Sequence, residues 1–521
     1  PDMRIPACPR PQARGAAGWR RDVLIRWGDR VEFDAPPFTP DAPSDKAAAT
    51  QFGWDAVVLG AAPQPPAADG VPRFVLAVAH PTVAARMAFP DGQDRPLLAG
   101  LMQGASLVNL EWRAVSGGRE GRWVVAQGGF QSRRLTSHTP CRLSGPEAAG
   151  LMQTAGGQTV TGLLGVNAGG VTPWGTLLLA EGDPAPWFRR LGGHAPGGSP
   201  LAGADPLYAD PPYATRGDEA PFGWLAEVDP QNPEAVPVKR TALGRFVRGG
   251  VACGQTADGR AVVFMTDARR AGMLLRFVTA APVVLLPGAG EPDVFDAGTL
   301  SVACPDGTGG LRFVPLPDAT ASRMAPLEGA AALGGQPFDG PAGLALVPGG
   351  ALILACWGNP ERAAPDAFNP RTHNGAGHIL SLTPKGGDLA ADSWSAEIVL
   401  LAGDPARNDG IYPEDSDTWL SNPIAVTADA AGALWIATAR AGLRTGLYRA
   451  APQTRALSAP YLAPRGASMG GVVAVGTSLI TAVRHPGSDD GASFAHPTTR
   501  WPTVAPGMPP QTTVVSLLPR G

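Results

Sequence analysis

The chain has 521 residues, including 68 Gly and 56 Pro, and 44% of its residues are hydrophobic while 17% are charged. So many helix-breaking residues exclude a mostly helical protein, and the hydrophobic content excludes a disordered one. The net charge is −3, so the chain lacks the excess of basic residues that is typical of nucleic-acid-binding proteins, and we expect no nucleic-acid partner.

Membrane and export signals are also missing from the sequence. No apolar run approaches the about 18 to 20 residues that cross a membrane as a helix, so we expect no transmembrane segment. The first residues do not have the pattern of a signal peptide.

Short apolar runs separated by Gly, Pro, Asp or Asn recur along the whole chain and predict β-strands. Two segments predict helices, near Thr82–Met87 and Pro146–Gln153, and residues 192–221 predict a long inserted surface loop. We interpret residues 1–18 as an N-terminal extension and residues 19–521 as one domain. Clear strand candidates, in chain order, are Val23–Trp27, Phe74–His80, Leu177–Glu181, Val262–Thr266, Ala351–Cys356, Leu434–Thr438 and Val514–Leu518.

The number and spacing of these runs favour an all-β propeller. There are more predicted strands than a β-sandwich contains. The sequence lacks the fixed period of about 40 residues that a regular WD40-type array would show. We therefore predict a single propeller with irregular blades and long inserted loops. We expect Thr512–Leu518 to pair with Val23–Trp27 and so remove the open edges of the sheet.

The five cysteines are isolated and have no CxxC spacing, so they signal neither a zinc site nor a disulfide framework. One or two disulfides remain an open alternative to free thiols.

Several segments together resemble a known family. The most specific is the run Asn167–Thr176, with the sequence NAGGVTPWGT, which leads into Glu181. This run and the others resemble the PhoX alkaline phosphatases, which are periplasmic phosphomonoesterases built on a β-propeller. The supporting segments keep the family's order; they are Val23–Asp29, Gln51–Asp55, Leu107–Trp112, Phe222–Pro230, Lys239–Phe246, Gly298–Gly309, Leu400–Pro405 and Val483–Gly487.

The resemblance implies a six-bladed propeller whose central channel holds iron and calcium ions that bind a phosphate monoester. It also implies a periplasmic or exported location. Such hard cations need converging carboxylate or thiolate ligands. The question is therefore whether this sequence still supplies those ligands.

Most positions that align with the family's acids carry other residues here. These positions are Asn167 in place of a cysteine, and Gly182, Gly249, Ala268, Ala342, Gly343 and Ala439 in place of acids. Cys304 stands where a basic residue is expected. The acids that remain as candidate metal ligands are Glu111, Glu181 and Asp267, and the candidate channel-lining residues are Asn109, Asn167, Arg248, Asn374 and His378.

We expect no iron, and either no metal or one calcium ion bound by Glu111, Glu181 and Asp267. The alternative for Glu111 and Glu181 is pairing with arginine. The sequence therefore favours a propeller that has lost phosphatase activity and has a binding or structural role, for example as an accessory subunit of a larger periplasmic or surface assembly. A metal-dependent phosphomonoesterase or phosphodiesterase is the alternative, and a lactonase-like propeller with one calcium ion lies between the two.

Overall fold

The computed structural model describes residues 13–114, 121–126, 131–154, 159–188, 219–284, 293–407, 409–439 and 445–520. Within these ranges the strands form six blades of four antiparallel strands each, as the family resemblance implies. The predicted loop insert at residues 192–221 lies outside the described residues except for its last three positions.

We number the blades along the chain and give their strands from the innermost outward. Blade 1 comprises Val57–Pro63, Arg73–His80, Gly104–Ala114 and Gly121–Val125. Blade 2 comprises Ala168–Val171, Leu177–Ala180, Leu225–Val228 and Val238–Arg240. Blade 3 comprises Arg248–Gln255, Arg260–Asp267, Leu274–Pro282 and Gly298–Pro305.

The remaining blades follow the same order. Blade 4 comprises Pro341–Leu346, Leu352–Cys356, His378–Pro384 and Ser393–Leu401. Blade 5 comprises Pro423–Ala428, Leu434–Thr438, Gly446–Ala450 and Leu457–Leu462. Blade 6 comprises Ser468–Val475, Ser478–Arg484, Thr513–Pro519 and Trp19–Arg26.

Blade 6 closes the ring by joining the two ends of the chain. Its outer strand Trp19–Arg26 pairs with Thr513–Pro519, with Val23 opposite Val515. The predicted closure is therefore confirmed. The pairing removes the open edge that a linear row of blades would leave.

Additional strands extend the outer edges of several blades. Arg14–Gly15 pairs with Leu457–Leu462 of blade 5, so this part of the predicted extension is bound to the propeller. Leu311–Pro315 joins the outer strands of blades 3 and 4 into one continuous sheet. The other additions are Arg133–Leu135 on blade 1, and Pro140–Ser144 with Val160–Thr161 on blade 2.

Helices are short and lie in the connections between strands. The predicted helices near Thr82–Met87 and Pro146–Gln153 correspond to Ala85–Ala88 and Ala148–Thr154. No helix in the described ranges has the length and apolar character needed to cross a membrane. The other α-helices are Asp45–Thr50, Pro96–Met102, Ala185–Phe188, Thr320–Met324 and Pro326–Ala332, and the 3₁₀ helices are Thr241–Leu243, Val294–Asp296 and Pro405–Arg407.

The hydrophobic core lies mainly between adjacent blades. Alternate residues of each strand face one neighbouring blade or the other, and these side chains form separate buried clusters around the ring. A further cluster, which includes Trp54, Phe89, Trp187 and Trp224, lies among the helices that follow the second strands of blades 1 and 2. The four described cysteines are free thiols: Cys141, Cys253, Cys304 and Cys356.

Candidate functional site

The inner strands of the blades enclose a central channel with a cavity of about 680 Å³. Its wall is made largely of small and apolar residues, and the inner strand of every blade except blade 5 contains glycine. Among the apolar residues that line it are Val57, Leu59, Val171, Leu346, Ile424 and Val473. The channel therefore offers an apolar wall where the resemblance implies a metal cluster.

Larger polar residues line the cavity at one end, which we call the mouth. This is the end at which each inner strand begins and each second strand finishes, so loops after the second strands reach it. Two arginines are the only charged residues among the described residues that line the cavity. The mouth residues are Thr82, Asn167, Arg270, Trp357 and Arg484.

Arg484 is held by a buried carboxylate from the other end of the chain. Arg484 Nε donates to Asp55 Oδ1 and Arg484 Nη2 donates to Asp55 Oδ2, both at 2.8 Å. The Thr82 hydroxyl donates to the same carboxylate at 2.8 Å. His485 Nε2 also lies 2.8 Å from Asp55, and its ring stacks on Trp54. Burial favours the neutral acid, but the charges of Arg484 and His485 outweigh it and hold the pKa of Asp55 well below its usual value.

Arg270 is more weakly paired. Its Nη1 lies 2.9 Å from Glu361, whose side chain is 78% exposed, and its guanidinium lies 5.6 Å from the centre of the Trp357 ring. Its Nε is buried and has no hydrogen-bond partner among the residues that the structure describes. Water strongly screens an exposed partner, so Arg270 is the less compensated of the two arginines that line the described part of the mouth.

Acidic groups are absent from the described part of the channel wall. The positions at which the resemblance expects acids or a thiolate mostly line the cavity: they are Asn167, Gly249, Ala268, Ala342, Gly343 and Ala439. No group of three His, Cys, Asp or Glu within the described residues is arranged to hold a metal ion. The described residues of the channel therefore do not supply the converging acids that the implied iron and calcium would need.

Glu111 lies on the third strand of blade 1 and does not line the channel. It is opposite Arg73, with Nη2 and Oε2 3.5 Å apart, and its Oε1 accepts from Arg113 at 3.0 Å. Asn109, two residues earlier, makes side-chain hydrogen bonds with Gln64 and Gln131. Both predicted site residues thus belong to the outer part of the blade.

Glu181 is fully buried just after the second strand of blade 2. Its Oε1 accepts from Lys239 Nζ at 2.9 Å and from the Leu164 amide at 3.1 Å. Its Oε2 accepts from the amides of Gly223 and Trp224 at 3.0 and 3.1 Å. Four donors satisfy this carboxylate, so its role in the structure is to anchor loops.

Asp267 is buried at the end of the second strand of blade 3. Arg269 Nε donates to it at 2.7 Å, and burial raises the pKa of Asp267 above its ordinary value despite that arginine. The structure therefore does not bring Glu111, Glu181 and Asp267 together as one calcium site. Each of the three carboxylates is paired with a basic side chain. The alternative stated for Glu111 and Glu181 was pairing with arginine, and the partner of Glu181 is a lysine instead.

Of the predicted channel residues, Asn167 lines the cavity and Arg248 does not. Asn167 Nδ2 donates to the Arg248 carbonyl at 2.7 Å, and its Oδ1 is buried without a partner in the described ranges. The Arg248 side chain is fully buried and donates to the carbonyls of Leu243, Gly244 and Phe246. Burial lowers the pKa of Arg248 to about 9.

Asn374 and His378 belong to a buried polar network in blade 4. Asn374 accepts from Arg371 and donates to Asp339 at 2.9 Å. It also lies 3.0 Å from His378 Nδ1, while His378 Nε2 lies 2.8 Å from the Phe368 carbonyl. Both ring nitrogens are engaged, so His378 is not available as a metal ligand. Burial lowers its pKa to about 4.

The sequence analysis did not single out Arg270, Trp357 or Arg484. The one feature of the sequence that these three residues share is their position, because each lies at or just after the end of the second strand of a blade. Arg484 also belongs to a segment, Val483–Gly487, that supports the family resemblance.

Comparison with known proteins gives a consistent assignment. A family model for the alkaline phosphatase PhoX matches residues 7–487. The structure of Pseudomonas fluorescens PhoX in complex with vanadate, a transition state analogue, is 25% identical, with a TM-score of 0.86 over 99% of this chain and 97% of that one.

A second solved structure is much less similar. A gluconolactonase from Xanthomonas campestris, XC5397, is 11% identical, with a TM-score of 0.28 over 89% of this chain and 97% of that one. A search of curated proteins found no match. The family model covers most of the chain, and the chain belongs to the PhoX alkaline phosphatase family.

Proposed function

We propose that this PhoX-family propeller has lost metal-dependent phosphatase chemistry and has a binding or structural role. One observation carries the proposal. At the channel wall, the positions expected to bear acids carry Gly249, Ala268, Ala342–Gly343 and Ala439, and the position expected to bear a cysteine carries Asn167. These replacements come from several blades, so a shift of one strand could not restore a converging set of acids.

The expected cost of losing metal ligands supports the same conclusion. Hydrolysis of a phosphate monoester needs cations that hold the dianion and an activated oxygen nucleophile. Losing even an outer partner of a metal ligand typically costs roughly 10- to 100-fold in metal affinity or activity. Several such losses together leave too little affinity for a metal cluster, and we propose no iron and at most one calcium ion.

The family's own activity is the second candidate. The similarity to Pseudomonas fluorescens PhoX over almost the whole chain favours it. A fold alone does not carry function, however, because chemistry depends on the residues of the site. For that reason the composition of the channel wall supports the loss of activity over the family's own activity.

Hydrolysis of p-nitrophenyl phosphate at alkaline pH, with calcium and iron supplied, tests the proposal. Pseudomonas fluorescens PhoX serves as the positive control. We expect no turnover above background from this protein. Turnover that a chelator abolishes would support the family's activity and overturn the proposal.

The proposed setting is the periplasm or the cell surface, where the chain would act as a component of a larger assembly. Membership of the PhoX family supports export. Fractionation of the native host, followed by detection with an antibody, tests it. Protein found only in the cytoplasmic fraction would contradict it.

A further inference from the structure

The wall and mouth of the central channel differ in chemistry, and together they indicate a class of ligand. Resting on the proposed function, we propose that the channel binds a monoanionic amphiphile, with its carboxylate at Arg270 and its hydrocarbon chain along the inner strands. A free fatty-acid-like molecule has this chemistry.

The apolar part of the site is built by the inner strands. Leu59 packs over Gly169, and Val171 packs over Gly60, so branched side chains cover bare backbone where blades 1 and 2 meet. Each methylene group moved from water to an apolar surface strengthens binding about fourfold. A hydrocarbon chain is therefore a better occupant of this wall than a sugar or a nucleotide.

The charge at the mouth selects a single negative charge. Arg484 is neutralised by Asp55, which is fully buried and makes a bidentate pair with it. Arg270 has only an exposed partner, Glu361, and keeps a buried Nε without a hydrogen-bond partner in the described part of the chain. One uncompensated guanidinium can balance a carboxylate, whereas a phosphate ester dianion would keep an unpaired charge next to an apolar wall.

The size of the cavity is compatible with such a ligand. At about 680 Å³ it falls inside the range of roughly 300 to 1,000 Å³ that is typical of small-molecule sites. Trp357 flanks Arg270 at the mouth, so the head group would meet a flat aromatic surface beside the guanidinium.

Titration calorimetry in metal-free buffer, below the micelle threshold, tests the proposal with dodecanoate, octanoate and dodecanol. We expect dodecanoate to bind more tightly than octanoate, because the longer chain buries more apolar surface. We also expect it to bind at least about tenfold more tightly than dodecanol, which lacks the charge that pairs with Arg270. Equal affinity for dodecanoate and dodecanol, or no binding of either, would overturn the proposal.

Variants locate the head group. Arg270→Gln should weaken dodecanoate binding about tenfold and leave dodecanol binding unchanged, while Arg270→Lys should restore part of the loss. Arg260→Gln is the matched control, because Arg260 pairs with the neighbouring Asp258 on a hairpin and does not line the cavity. Thermal unfolding checks that each variant is folded. Unchanged dodecanoate affinity in folded Arg270→Gln would contradict the proposal.

The two proposals fail separately. Hydrolysis of p-nitrophenyl phosphate would overturn the proposed loss of phosphatase activity, whether or not dodecanoate binds. Failure of dodecanoate to bind would overturn the ligand class but leave the loss of phosphatase activity standing.

Discussion

Buried charged residues in this chain are held by opposite charges or by backbone groups. Glu181 pairs with Lys239, and Glu227 accepts two hydrogen bonds from Arg240 at 2.9 and 2.7 Å. Arg248 satisfies three backbone carbonyls instead of a carboxylate. Buried charges with such partners are costly to disrupt. The retained acids therefore have a structural explanation that needs no metal.

Glu181→Ala tests this structural role. The change leaves Lys239 buried without its carboxylate, so we expect the free energy of unfolding to fall by about 3 to 5 kcal/mol. Glu111→Ala, which removes a partly exposed ion pair, should cost about 1 kcal/mol or less. Urea denaturation in the presence of a chelator measures both. Equal effects of the two variants would contradict the account.

His378 makes stability depend on pH. Burial lowers its pKa to about 4, so the unfolded chain binds a proton near pH 6.5 while the folded chain does not. This contribution to stability is complete above pH 6.5 and is lost as the pH falls toward 4, by about 3 kcal/mol. Denaturation at several pH values should show a shallower fall for His378→Gln than for the wild type. The same slope in both would show that His378 is not buried in its neutral form.

At the scale of the strand, glycines allow the inner strands to pack side by side. A Cβ at Gly343 would lie 2.6 Å from the Ala425 Cα in blade 5, and one at Gly471 would overlap the Val58 carbonyl in blade 1. Both obstacles are backbone atoms, which cannot rotate away. The channel wall is therefore apolar and narrow because of how the blades meet.

Gly343→Ala should destabilise the propeller by about 1 to 3 kcal/mol, because the added methyl group pushes the inner strands of blades 4 and 5 apart. Gly150→Ala is the matched control. Gly150 lies in a helix with open space around it, so alanine there should be neutral or stabilising. Thermal melts compare the two, and an unaffected Gly343→Ala would mean that the blades can adjust.

The closing strand offers a second test at this scale. Deleting residues 512–521 removes the strand that pairs with both Trp19–Arg26 and Ser478–Arg484. We expect loss of cooperative unfolding, since blade 6 would lose its third strand and its link to the N-terminus. A deletion of Arg520 and Gly521 alone should behave like the wild type. Cooperative unfolding of the longer deletion would contradict this role.

For the whole molecule, the sequence predicts the architecture better than the site. Strand-sized apolar runs and the need to remove sheet edges predict the propeller and its closure. The pairing of Arg14–Gly15 with blade 5 and the joining of blades 3 and 4 were not predicted, because they depend on contacts far apart in the chain.

The candidate site could be predicted only in part. The resemblance located the positions of the missing acids, and most of those positions do line the cavity. It could not foresee that Lys239 and three backbone amides saturate Glu181, or that Arg484 pairs with Asp55 across 429 residues. A side chain's neighbours within the fold decide whether it serves a ligand or the structure.

The metal content of the purified protein tests the central claim most directly. The protein would be expressed with iron and calcium in the medium, purified without added metal, and analysed by inductively coupled plasma mass spectrometry. An active PhoX phosphatase purified alongside checks that the procedure retains metal. The account predicts no iron and at most one calcium ion per chain, because no acid among the described residues lines the channel. Stoichiometric iron would contradict it.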